Sequence, residues 1–218
     1  MKLPKEIKCI IFDMDGVIID SEEIHKKAYY ETFNFIGVDV SDALYKTLTG
    51  SSTINAFQKL VVHFGLSDNL EDLVLYKRSR YVNFFENDST LHLVRGVEDL
   101  IKHAYSKGIT LVLASSSAMI NIERVFNRFH LNPYFTAKIS GADLKESKPN
   151  PEIFNKATVL GDTKKEHCIV IEDSDNGVEA ANGAGIFVVG YQNPMAEDQT
   201  LENANLVIDN FKKLQQLI

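Results

Sequence analysis

The sequence predicts an α/β protein: a parallel sheet core interrupted, after its first strand, by an inserted helical unit. Three observations predict it. Short apolar runs recur along the chain and are continuous rather than alternating, as in strands buried on both faces. Segments with helical spacing of apolar residues separate these runs, which is the pattern of βαβ units. Between about residues 20 and 90 only the helical spacing occurs.

The predicted strands are Ile7–Phe12, Ile109–Ala114, Ala137–Ser140, Cys168–Glu172, Ile186–Val189 and Leu206–Ile208. Helices are predicted near Gly96–Ser106, Ala118–Phe129, Pro151–Leu160 and Gly177–Ala184. Gly108 and Gly185 end helices just ahead of strands. Asn150 and Pro151 supply an N-cap and a first helical residue. In the insert, Glu22–Ile36, Ser41–Thr47, Thr53–Phe64 and Leu70–Phe85 carry helical spacing, and Asp20 with Glu23 resembles a capping box. The tail "DNFKKLQQLI" reads as a closing amphipathic helix. The division expected is a Rossmann-like α/β core over 1–19 and 91–218 and a helical cap domain over 20–90.

Composition narrows the function classes. The chain has 218 residues, an apolar fraction of 44% and a formal charge of −7. That balance argues against a nucleic-acid backbone as partner. The two cysteines, Cys9 and Cys168, lie far apart in apolar stretches and read as buried thiols of a reducing compartment. The apolar run before Asp13 is too short for a signal peptide, and no stretch is long enough to cross a bilayer. The expectation is a cytoplasmic, monomeric protein with neither membrane nor nucleic acid as partner.

Ligands of an open parallel sheet sit beyond the carboxyl ends of its strands. Asp13 and Asp15 follow the first strand, the serines from Ser115 follow the second, and Glu172 and Asp173 close a later one. Lys148 precedes a helix in "SKPNPE". Each motif alone has an ordinary reading as a turn, loop or helix entry. Together, in this order, acidic groups, a hydroxyl and one lysine suit a hard cation beside a phosphoryl group. Oxygen donors alone point to Mg²⁺ rather than zinc.

The stretches "DMDGVIIDS", "LASSS", "SKPNPEIF" and "VIEDSDNGVEAANGAGI" resemble the four motifs of the haloacid dehalogenase-like (HAD) superfamily. The insert is similar to its type 1 cap, and the whole resembles the β-phosphoglucomutase-like branch. The resemblance implies Asp13 as nucleophile, forming an aspartyl-phosphate, and Asp15 as general acid/base with a raised pKa. It implies Mg²⁺ held by Asp13, the Asp15 carbonyl and Asp173, with Glu172 in support. Ser115 and Lys148 would grip the phosphoryl oxygens, with Ser116 and Ser117 beside them, and Gly16 would donate an amide to the same group.

In that branch the cap and the loop after the second motif set substrate choice. His25 and Lys77, expected with Thr53 to bind substrate, match positions where the mutase carries His and Lys around its site. Thr53, Ala118 and Met119 stand where it carries Arg, Lys and Asn to hold a distal phosphate. The expectation is therefore a Mg²⁺-dependent phosphohydrolase of a small phosphorylated metabolite, with β-phosphoglucomutase as the alternative. A non-catalytic phospho-signalling or binding module is more remote: a receiver has neither the D-x-D spacing nor the insert, and a binding module has no reason to keep Asp15 with Lys148.

Overall fold

The computed structural model describes residues 3–194 and 199–218. Among these, six strands form one sheet: β1 Cys9–Phe12, β2 Thr110–Ser115, β3 Ala137–Ser140, β4 Cys168–Glu172, β5 Phe187–Tyr191 and β6 Leu206–Ile208. Their order is β3-β2-β1-β4-β5-β6, and every pairing is parallel. The helices are α1 Glu22–Ile36, α2 Asp42–Lys46, α3 Thr53–Phe64, α4 Leu70–Asn87, α5 Val97–Ser106, α6 Met119–Arg128, α7 Glu152–Leu160, α8 Asp175–Gly183 and α9 Phe211–Gln215.

Strand β1 is apolar at every position, and β2, β4 and β5 along most of their lengths, because both faces of the sheet are covered there. Ile10, Phe12, Leu113 and Ile171 join a cluster with Leu100, Phe126 and Phe211 of α5, α6 and α9. Their neighbours Cys9, Ile11, Val112 and Val170 point the other way, to Phe154 of α7 and Val178 of α8. Each such buried side chain contributes about 1.5–3 kcal/mol from burial. Cys9 and Cys168 face each other in register across β1 and β4 as buried free thiols, as their apolar surroundings suggest.

Helices α1–α4 carry an apolar cluster of their own, including Phe33, Phe57, Leu60 and Leu73. They are also seated on the core, since Ile24 and Ala28 of α1 and Tyr81 and Phe85 of α4 join the sheet's cluster. Arg128 of α6 ties down the end of α4, donating to the carbonyls of Phe85 (2.7 Å) and Asp88 (2.6 Å). Such terminal carbonyls have no partner within their own helix.

Some expected details differ. Strand β1 starts at Cys9 rather than Ile7, because its ladders to both neighbours start there. Strand β5 runs on to Tyr191, drawn out by pairing of Gly190 and Tyr191 with β6. Ser21, not Asp20, is the N-cap of α1, and its hydroxyl is turned to Asp15, to which it donates, and makes no cap bond. Pro151 occupies the cap position of α7, while Asn150 accepts from the Glu152 amide (2.9 Å), so it still serves the helix start.

Candidate active site

The sheet order reverses between β1 and β4, and the crevice at such a switch point is where open α/β sheets bind ligands. Asp13 leaves β1 there, Ser115 ends β2 on one side, and Glu172 with Asp173 leaves β4 on the other. A loop ahead of α7 sends Lys148 beneath them. The lysine is 1% exposed and donates to Asp13 (2.5 Å), Glu172 (2.6 Å) and the Ala114 carbonyl (3.0 Å). Burial opposes its charge, but Asp13 and Glu172 outweigh burial and raise its pKa.

Glu172 is fully engaged. One oxygen takes Lys148; the other accepts from the Asp173 and Ser174 amides and the Ser174 hydroxyl. It therefore braces the lysine and the loop. Asp13, Glu172 and Asp173 bring one carboxylate oxygen each within 4.8 Å of one another, all buried. Burial pushes the Asp13 carboxyl up to about 8; Lys148 opposes the rise, and Glu172 and Asp15 add to it. Burial, then Glu172 and Asp13, likewise raise Asp173. Crowded oxygen donors that resist ionisation are the donor set a hard divalent cation satisfies.

Asp15 behaves oppositely. Burial disfavours its charge, yet His25, Ser21 and Ser117 together hold its carboxyl well below the usual range. The Ser21 hydroxyl donates at 2.6 Å, the Ser117 hydroxyl at 2.8 Å, and His25 Nε2 lies at 3.1 Å. The raised pKa expected for Asp15 is thus corrected: the neighbouring carboxyl that rises is Asp13. The Asp15 side chain is also absent from the metal-capable cluster, which leaves only its carbonyl to serve a metal.

The three serines divide. Ser115 accepts from the Ser117 amide (3.0 Å) and keeps its own proton for a further acceptor. Ser117 is committed to Asp15 and Ser116 to the Gly50 carbonyl (2.8 Å), so neither hydroxyl is free to grip substrate as expected. Gly16 is corrected too. Its amide donates to Ile19 O (2.8 Å), so its role is spatial: φ is +82°, and a Cβ there would lie 1.9 Å from Asp173 Oδ2. Asn193, from the end of β5, holds the Gly16 carbonyl at 2.8 Å.

Helices α1–α4 close the crevice. Gly50, with φ +77°, fits against Ser174, whose Oγ lies 2.4 Å from where a Cβ would stand. Thr49 O accepts from Asn176 (2.6 Å), and the Ser52 amide donates to Ser147 (3.1 Å). Under this loop is a cavity of about 70 Å³ that touches Asp13, Asp15 and Asp173 from the core and His25, Thr53 and Lys77 from the helical unit. Ala118 and Met119 do not line it. Sequence reasoning missed Ser21, Asn176, Ser147 and Asn193; only Ser21, six residues past Asp15 on a turn, carried any local signal.

Lys77 is 2% exposed, donates to His25 Nδ1 (2.9 Å) and stands 4.2 Å from the Tyr29 ring centroid. Burial lowers its pKa to about 7, against the pull of Asp15 and Glu22. Between about 7 and its ordinary value of 10.5, the folded lysine binds fewer protons than the unfolded one. Stability from this group therefore rises with pH across that window. Lys77→Met is expected to raise Tm at neutral pH, with an advantage that shrinks as pH rises toward 10.5, while turnover falls. A methionine variant that melts below wild type at neutral pH would refute this.

Fold and site together define an enzyme of the hydrolase class. A profile of the haloacid dehalogenase-like hydrolase family matches residues 10–191, and the chain belongs to that family. Its relatives lie in the β-phosphoglucomutase-like branch. The chain is 29% identical over 180 residues to "Phosphorylated carbohydrates phosphatase" of Thermotoga maritima, covering 83% of this chain and 82% of that protein. It is 27% identical over 207 residues to β-phosphoglucomutase of Bacillus subtilis, covering 93% and 89%. A structure of a CbbY mutant from Rhodobacter sphaeroides, in complex with xylulose-(1,5)bisphosphate, superposes with a TM-score of 0.84 at 28% identity, over 95% of this chain and 96% of that one.

Proposed function

We propose that the protein is a Mg²⁺-dependent phosphohydrolase of a small phosphorylated metabolite, a sugar phosphate or similar, working through an aspartyl-phosphate on Asp13. The observation that carries this is the separation of two neighbouring aspartates into different environments. Asp13 faces Lys148 and the acidic cluster; Asp15 faces Ser21, His25 and Ser117. One is placed to attack and the other to move protons.

The Asp13 carboxylate attacks phosphorus as the ester P–O bond breaks, and the leaving oxygen takes a proton from Asp15. Water then attacks the aspartyl-phosphate, Asp15 takes its proton, and Asp13 is restored. The ionised Asp15 suits the second step directly. For the first, His25 Nε2 passes its proton to Asp15, 3.1 Å away, as His25 Nδ1 takes one from the Lys77 ammonium, 2.9 Å away, which leaves imidazole and lysine neutral. Lys148 and the Ser115 hydroxyl hold the phosphoryl oxygens. Mg²⁺, held by Asp13, Asp173 and the Asp15 carbonyl, would neutralise charge on the phosphoryl oxygens. Helices α1–α4 act as a cap domain that opens near Asp20–Ser21 and Ser89–Leu91 and shuts on the Thr49–Ser52 loop.

The preserved His25–Lys77 pair favours a mutase as second reading; the absence of any arginine along the cavity, among the described residues, weighs against it. With Mg²⁺, the purified protein is expected to release phosphate from p-nitrophenyl phosphate, and EDTA to stop it reversibly. Full turnover after metal stripping in excess EDTA would reject the metal. Given β-glucose 1-phosphate and a bisphosphate primer, it should yield free phosphate faster than glucose 6-phosphate; the reverse establishes the mutase.

A further inference from the structure

The cavity also carries a charge pattern that bears on the leaving group, an argument that rests on the hydrolase reading. Glu22, the first residue of α1, lines the cavity and accepts from the Tyr45 hydroxyl at 3.4 Å. Burial raises its pKa, and His25 pulls the other way. The rest of that wall offers hydroxyls, from Tyr29, Tyr45 and Thr53. Among the described residues, the basic side chains lining the cavity are His25 and Lys77, which are bonded to each other and, through His25, to Asp15. Arg78 and Arg80 do not line it, and Arg80 is paired with Glu31 at 2.9 Å.

We propose that Glu22 determines specificity: its carboxylate accepts a hydrogen bond from a hydroxyl of the leaving group and turns away substrates bearing a second anionic group, so the preferred substrates are monophosphates of neutral sugars or polyols. A carboxylate is an acceptor only, matched to a hydroxyl donor and to no phosphate or carboxylate oxygen. The cavity is small, about 70 Å³, and leaves little water to screen a like charge. A second phosphate would meet Glu22 with no uncommitted cation beside it.

The test compares kcat/KM for fructose 6-phosphate, fructose 1,6-bisphosphate and 2-phosphoglycolate. Each value is divided by the same enzyme's kcat/KM for p-nitrophenyl phosphate, whose leaving group has neither aliphatic hydroxyl nor added acid. Wild type is expected to prefer the monophosphate over the bisphosphate by on the order of 10²-fold. Glu22→Gln is expected to narrow that preference about tenfold, by gain on the bisphosphate and on 2-phosphoglycolate, and Glu22→Ala to do the same. A wild-type preference for the bisphosphate overturns the proposal, as does an unchanged ratio in both variants. Absence of p-nitrophenyl phosphate turnover by wild type with Mg²⁺ instead overturns the hydrolase reading, and this proposal with it.

Discussion

Asp13→Asn is expected to lower turnover by on the order of 10⁴-fold or more and to leave no covalent phosphate on the protein. An amide is a poor nucleophile toward phosphorus, and no other carboxylate replaces it, since Asp15 is held away by Ser21, His25 and Ser117. The fold should survive. Asparagine keeps the shape, Lys148 retains Glu172 and the Ala114 carbonyl, and a carboxyl whose burial already disfavours charge loses little as an amide. Mass spectrometry after a substrate pulse, beside a thermal melt, checks both halves. Covalent phosphate on the variant's peptide at the substituted position would end the mechanism.

Lys148→Ala is expected to be costly twice. The ammonium, 1% exposed, is the buried counter-charge of Asp13 and Glu172, and removing one partner of a buried pair costs about 3–5 kcal/mol. For a chain of this size that is a fall in Tm of roughly 10 °C. Activity should drop on the order of 10³-fold, because the phosphoryl oxygens lose a fixed donor. Lys148→Met, which refills the space without charge, should recover part of the stability and none of the rate. Equal activity loss in both variants with different melts is the signature to look for; an alanine variant that melts like wild type refutes the buried-pair account.

The sheet and the positions of its chemical groups were legible because both depend on short-range pattern. Continuous apolar runs marked β1 and β4, and the residues after them are the acids of the site. Strand ends were less so, because Cys9 begins β1 only by virtue of where β2 and β4 start. The state of Asp15 was not legible at all. Two carboxyls two residues apart suggest mutual repulsion, and the groups that decide otherwise come from α1 and from the loop after β2. The same holds for Ser116, whose partner Gly50 is 66 residues away. A run of serines shows that hydroxyls are present, not what they bond.

The wide sequence spacing of the site has a consequence for how the chain acquires it. Asp13 and Lys148 meet across 135 residues, and Ser117 reaches Asp15 across 102. Strand β1 is central, so it stays unpaired until β2 and β4 exist, whereas α1–α4 gather their apolar cluster from neighbours in the chain. Pairings of such long range are slow to close. A phosphate or metal ion that binds Asp13 together with Asp173 is therefore recognised only by the finished sheet, and by mass action it draws half-assembled chains toward that state. In a folding experiment its binding would serve as a late clock, timing the last docking of β4 rather than the early collapse of the helices.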